Sequence, residues 1–242
     1  MPTNTNISFI AITLLFWGVL FTHTARGAEV DGSIHVSILE NKALYLAVGS
    51  TEWVPLKPGD PIYPGDEVQT LQGTRLVVTL GDGSEVRIAE NSHFRLNPET
   101  SMTDQNFDFQ LYLGKAWAHL RKNVYRSARL IIRTAQAKID IQGTSYEAQA
   151  NDAFTDVLVF SGKVKVSNQS QRANPPPLAD GEIAGPQEIE APQEVTLAEW
   201  QLIVGAFYRV RVGHTAAQPQ PEKFSMAQVS SDWVSWNLER DK

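Results

Sequence analysis

At 242 residues and 42% apolar, the chain is long enough to bury one sizeable core or two small ones, and its aromatic content excludes a disordered composition. A formal net charge of −6 excludes nucleic acid as the expected partner, since that role needs clustered Lys and Arg. No cysteine is present, which excludes disulfides, thiolate zinc sites and lipid attachment through an N-terminal Cys.

Residues 7–21, ISFIAITLLFWGVLF, form the longest apolar run. Its length suits the hydrophobic region of a signal peptide better than a membrane span, which needs about 20 residues. Ala25-Arg26-Gly27 supplies small residues for cleavage before Ala28. The expectation is an exported protein with residues 1–27 as a signal peptide, touching membrane only through this segment if it stays uncleaved. Export without cysteine suits the periplasm or envelope of a Gram-negative bacterium.

Ser33 to Glu40 alternates, with Ile34, Val36 and Ile38 on one face. Leu44, Leu46 and Val48 repeat the pattern, followed by Trp53, Val54 and Leu56. Period two is the signature of a half-buried strand, because successive Cβ atoms point to opposite sides. Two turns follow, Lys57-Pro58-Gly59-Asp60 and Tyr63-Pro64-Gly65-Asp66. In each, Pro presets φ and Gly accepts positive φ. The best-specified unit is a hairpin, with Leu76, Val78 and Leu80 on one arm, Val86 and Ile88 on the other, and Gly81-Asp82-Gly83-Ser84 between.

A polar loop at 97–106 precedes the cleanest alternation, Phe107, Phe109, Leu111 and Leu113. Gly114-Lys115 is expected to end that strand, and Ala116, Ala118 and Leu120 to begin another with Trp117 opposite. The basic stretch 121–129 reads as a solvated loop between strands. Leu130 and Ile132, then Ala137, Ile139 and Ile141, then Tyr146 and Ala148 continue the rhythm. Val157-x-Val159, Gly162 and Val164-x-Val166 read as a hairpin-like unit.

Residues 171–194 hold Pro175-Pro176-Pro177, Pro186 and Pro192 and read as a Pro-rich loop. Beyond it, Val195 and Leu197 suit a strand, Trp200, Ile203, Val204 and Phe207 have helical spacing, and Tyr208, Val210 and Val212 alternate. The tail predicts a short helix capped by Ser231 or Asp232, with Trp233 and Trp236 three apart and Arg240 four beyond Trp236. That spacing lets the Arg lie over an indole. Two uses are open: the Trp residues cover an open end of the β-core, or Trp233, Trp236 and Arg240 contact a partner.

The fold class that follows is all-β, with short strands in a β-solenoid-like or twisted sandwich stack and a short C-terminal helix. No catalytic, cofactor or metal site is expected. Gly81-Asp82-Gly83-Ser84 does not match a nucleophile elbow, and His35, His93, His119 and His214 lack metal-ligand spacing. The two Pro-Gly-Asp turns have Asp where turn geometry already calls for it.

Several short motifs occur here in a particular order. They are Trp53, Gly65-Asp66-Glu67-Val68-Gln69-Thr70, Leu80 to Ile88, Leu113-Gly114-Lys115-Ala116, Gln142-Gly143-Thr144-Ser145-Tyr146 and Val157 to Val166. In that order they resemble the FecR-type domain, named for a periplasmic regulator of iron-citrate uptake, over roughly residues 33–170. The end of the chain, Trp233 to Asp241, is similar to a Trp-to-Arg-Asp ending that follows such domains in some exported proteins. The resemblance implies an exported β-module that senses or binds. Its expected partner is an envelope protein, with peptidoglycan or another polysaccharide as the alternative. Family members that regulate transcription place a cytoplasmic anti-sigma segment before a membrane span; with six residues before the apolar run, that segment is expected to be lacking. The expected organisation is a β-domain at 33–170, the Pro-rich loop at 171–194, and C-terminal strands with a Trp-containing helix packed on the β-domain at 195–242.

Overall fold

The computed structural model describes residues 32–120, 129–141, 144–168, 199–214 and 217–242. The apolar run at 7–21, most of the basic stretch 121–129, Gln142-Gly143, the Pro-rich segment and Val195 with Leu197 lie outside the described residues. Strand accounts for 54% of the described residues and helix for 8%, so the expected all-β class is the observed one.

In chain order the strands begin with β1 (Gly32–Glu40), β2 (Ala43–Leu46), β3 (Val54–Pro55), β4 (Glu67–Thr70), β5 (Arg75–Gly81) and β6 (Glu85–Ile88). They continue with β7 (His93–Leu96), β8 (Asn106–His119), β9 (Arg129–Arg133), β10 (Ala137–Ile141) and β11 (Ser145–Ala150). The last are β12 (Phe154–Ser161), β13 (Lys163–Asn168), β14 (Gln201–Gly205), β15 (Tyr208–Gly213) and β16 (Glu222–Lys223), before helices α1 (Met226–Val229) and α2 (Asp232–Arg240).

These strands form two layers. The first runs β1-β5-β6-β8-β11-β12-β15-β16. The second runs β3-β2-β4-β7-β8-β9-β10-β13-β14. Strand β8 belongs to both, so the layers are halves of one continuous 16-stranded sheet. Every pairing is antiparallel except β8 with β9. The chain passes repeatedly from one layer to the other. That winding gives the solenoid-like rhythm in the sequence, and the result is one large open sheet whose two halves share an apolar core. One cluster fills the space between the layers: Val36, Leu76, Val78, Val86, Tyr146, Val157 and Val210 from the first meet Val68, Phe94, Phe109, Leu111, Ile132, Ile139 and Val166 from the second. At about 25 cal/mol per Å² of apolar surface removed from water, this core is the main stabilising term.

The hairpin forms as expected, with Leu76 opposite Ile88 and Val78 opposite Val86. Both Asp residues of the Pro-Gly-Asp turns cap their own turns. Asp60 Oδ2 accepts from Lys57 N at 2.8 Å, and Asp66 Oδ2 accepts from Tyr63 N at 2.9 Å. Asp66, 1% exposed, also accepts from Val48 N at 2.8 Å through Oδ1 and ties the turn to the end of β2.

Five expectations need correction. In β1 a register shift between Val36 and Ile38 changes the phase, so Leu39 takes the core side that strict alternation gave Ile38. In β2 the inward residues are Ala43 and Tyr45, because Tyr45 pairs with buried Val68; Leu44 and Leu46 point away, and Val48 is exposed. Gly114 does not end a strand. It sits at φ +97° inside β8 and lets the strand bend from the second layer into the first, leaving Leu113 exposed at the bend. Its missing Cβ is required there: a Cβ would lie 2.1 Å from Ser92 Oγ and 2.6 Å from Ser92 Cα. Strands β12 and β13 do not form a hairpin, because Gly162 at φ +75° turns the chain between layers. Strand β12 then pairs with β11 and β15, and β13 with β10 and β14. The helical spacing of Trp200 to Phe207 is overridden by pairing of β14 with β13, which buries Val204 and turns Ile203 to solvent.

Candidate functional site

Helix α2 lies on the outer face of the first layer. Ser231 caps it, accepting from Val234 N at 3.2 Å, and Asp232 in the first turn suits the positive helix end. The face beneath follows from strand alternation. With Val86, Ala116, Ala118, Ala148 and Val157 turned into the core, their neighbours Arg87, Trp117, Glu147 and Leu158 turn outward. The cross-strand register aligns these four in one row across β6, β8, β11 and β12. Trp117, Leu158, Phe160, Phe224 and Val234 close a second apolar cluster, with Trp233 and Leu238 against it. Trp117 stacks on Phe160 at 4.4 Å between ring centroids.

A polar knot fastens the end of the helix. Arg87, 1% exposed, donates from Nη1 to Asp241 Oδ1 at 2.7 Å and to the Asn237 carbonyl at 3.0 Å, and from Nε to Glu85 Oε2 at 2.7 Å. Trp117 Nε1 donates to Asp241 Oδ2 at 3.1 Å. His119 Nδ1 lies 3.2 Å from Asp241 Oδ1 and 2.9 Å from Ser145 Oγ. Burial by itself would raise the Asp241 carboxyl, but the His119 hydrogen bond and the Arg87 charge outweigh it and hold the group below its usual range. The Arg87 guanidinium meets the helix where its carbonyls are unsatisfied, so charge and dipole act together.

Glu147, in the same row, has the opposite shift. Burial pushes its carboxyl up, against the Lys115 charge and the Trp233 indole, with Asp156 adding to the rise. Glu147 Oε2 and Trp233 Nε1 are both buried without a hydrogen-bond partner of their own.

Of the three residues predicted from sequence, Trp233 is turned partly into the second apolar cluster. Trp236 stacks on Trp233 at 5.6 Å and 21°, and takes Arg240 at 5.1 Å and Arg75 at 5.3 Å over its ring. The Arg over an indole forms as the spacing allowed, with a second Arg from β5 that spacing does not reveal. Trp236 and Arg240 keep solvent access. Sequence reasoning missed Arg87, Trp117, His119, Glu147 and Asp241 as a set. A signal for part of it was present: a cation and an indole alternating with core residues on a face otherwise expected to be wet implies a cover. Among the described residues no group of three or more His, Cys, Asp or Glu is arranged to hold a metal ion, and no helix is long and apolar enough to cross a membrane.

Comparison with known proteins agrees with the motif order. Residues 66–165 match the family described as FecR protein. The match begins at the Asp66 turn and ends within β13, so it covers the central strands of both layers and leaves β1–β3, β14–β16 and both helices outside. Nothing among curated proteins matches. Two crystal structures of a candidate anti-sigma factor from Parabacteroides distasonis ATCC 8503, at 1.65 and 2.50 Å, align with TM-score 0.47, 18% identity and 71% of this chain covered. The chain spans 64% and 63% of the length of those structures. Residues 66–165 are therefore the FecR-like part of this chain.

Proposed function

We propose that this protein is an exported sensing and interaction module of the bacterial envelope, acting in signal transduction through protein contacts and not as an enzyme. The FecR-type domain at 66–165 carries this reading. The apolar run at 7–21 with Ala25-Arg26-Gly27 supports export to a periplasm, with residues 1–27 as signal peptide. The β-domain is taken as 33–170, followed by a Pro-rich connection at 171–194 and a C-terminal unit at 195–242. The contact surface is the outward side of α2, where Trp236 and Arg240 face solvent and Trp233 braces them from below. Aromatic and Arg side chains are the types that dominate binding energy at protein interfaces.

The test is a photo-crosslinking amino acid in place of Trp236, expressed in cells and read by mass spectrometry after fractionation. One envelope protein should recur, and it should disappear when Arg240→Glu is added. Recovery of no protein, or an intact cytosolic chain retaining Met1, defeats the reading.

A second reading, binding of peptidoglycan or another polysaccharide, is favoured by one feature. On the outer face of the second layer Trp53 meets His93 edge-on at 5.9 Å, and His93 meets exposed Tyr112 at 4.7 Å. Such aromatic groups, apolar in body and polar at the edge, suit the faces of sugar rings. Sedimentation of the protein with purified sacculi tests it, and absence of co-sedimentation removes it.

A further inference from the structure

The outer face of the second layer has a charge pattern of its own. Core residues Val68, Phe94, Leu111, Ile132, Ile139 and Val166 point inward, so their neighbours point out. The strand register lines up Arg95, Gln110, Arg133 and Lys138 as one row across β7, β8, β9 and β10. Neighbouring strands lie ~4.8 Å apart, so the row from Arg95 to Lys138 spans about 14 Å. Two residues farther along the strands lie Asp108, Asp140 and Lys165, and two residues beyond those lie Arg129 and Lys163.

Part of this charge is matched. Arg133 pairs with Asp108 at 2.8 Å, Arg129 with Asp140, and Lys165 with Asp140 at 3.6 Å. Glu67 is taken by His93 at 2.8 Å. Arg95, Lys138 and Lys163 are left without a carboxylate in salt-bridge range among the described residues. Burial, and then the charges of Arg133 and Arg129, hold the Lys138 ammonium below its ordinary value, against the opposing charges of Asp140 and Asp108. In a chain of net charge −6, this face runs against the overall balance. One end of the row abuts the aromatic group, since Glu67, the ion-pair partner of His93, lies opposite Arg95.

Resting on the polysaccharide reading above, we propose that this face binds an acidic, carboxylate-bearing polysaccharide. Trp53 and Tyr112 stack on one sugar ring. The following residues lie along the row, with carboxylates on Arg95 and Lys138 and hydroxyls on Gln110. Charge complementarity argues for an anionic polymer, and the aromatic end argues for sugar over an acidic peptide. A flat row of donors repeating at the strand spacing suits an extended repeating chain.

The test is binding of the purified full chain to polygalacturonate, with dextran as the neutral polymer and poly-glutamate as the anion without sugar rings. Melting curves verify the fold of each variant. Polygalacturonate should bind best and weaken as salt rises. Arg95→Gln with Lys138→Gln should weaken it about tenfold, and Trp53→Ala by a similar factor without changing any residual binding of poly-glutamate. Equal binding of poly-glutamate with no effect of Trp53→Ala overturns the proposal in favour of an acidic peptide. Binding of dextran or sacculi that is indifferent to the two cation variants overturns it while leaving the polysaccharide reading standing. No binding of any glycan or of sacculi removes both.

Discussion

Asp241→Asn isolates the charge that fastens α2. The change is nearly isosteric, and it leaves Arg87, 1% exposed, without the carboxylate 2.7 Å from its Nη1. Breaking a buried ion pair by neutralising one partner costs about 3–5 kcal/mol. Arg87 retains Glu85 and the Asn237 carbonyl, which places the cost at the lower end, about 3 kcal/mol. In a chain of this size that corresponds to a fall in Tm of about 6–12 °C if the molecule unfolds as one unit. Should the helix release first, hydrogen exchange over residues 232–240 will rise and the fluorescence of Trp117 and Trp233 will shift before the main transition. A double-mutant cycle with Arg87→Met should return a coupling of about 1.5–3 kcal/mol. The acid limb follows from the lowered Asp241 carboxyl. Its contribution is complete above the ordinary Asp value of about 3.9 and is lost as pH falls through the lower folded value. Wild type should therefore loosen α2 below about pH 4, and the Asn variant should lack that dependence. A Tm change under about 2 °C with unchanged exchange in α2 and coupling under about 0.5 kcal/mol would refute the fastening role.

Other outcomes follow from the same geometry. Glu147→Gln should raise stability at pH 7 by about 0.5–2 kcal/mol. A carboxyl raised by burial helps folding only below the ordinary Glu value near 4.3, and that help is lost as pH rises through its folded value. The gain should vanish at pH 4, and a lower Tm at pH 7 would mean that its charge is needed beside Lys115 and Trp233. Gly114→Ala should cost at least about 2 kcal/mol, since it adds left-handed strain to a Cβ pressed on Ser92. Ser92→Gly should not rescue it, because Ser92 Cα is itself 2.6 Å from the new atom; recovery of wild-type Tm would sink that account. Asp66→Ala should cost about 2–4 kcal/mol in chemical denaturation by stranding the Val48 and Tyr63 amides. Asp66→Asn should recover part of this, and equal losses in the two variants would contradict the capping role.

Alternation and turn chemistry in the sequence were enough to determine the all-β class, the hairpin at Leu76 to Ile88, the two Asp-capped turns and a short C-terminal helix starting at Ser231 or Asp232. Each depends on residues within a few positions of one another, so local sterics and hydrogen bonding decide it. The phase of β1 and β2, the bend at Gly114 and the crossing at Gly162 were not legible, because each is set by which distant strand a segment pairs with. A one-residue slip exchanges the faces of a strand, and only the partner fixes it. The candidate site divides the same way. The meeting of Trp236 and Arg240 was readable from helical spacing, whereas Arg75 over the same ring, Arg87 beneath Asp241 and Glu147 beneath Trp233 come from strands far away in the chain. Sequence alone could set a cation and an indole opposite core residues; only folding decided that a helix more than a hundred residues later would cover them.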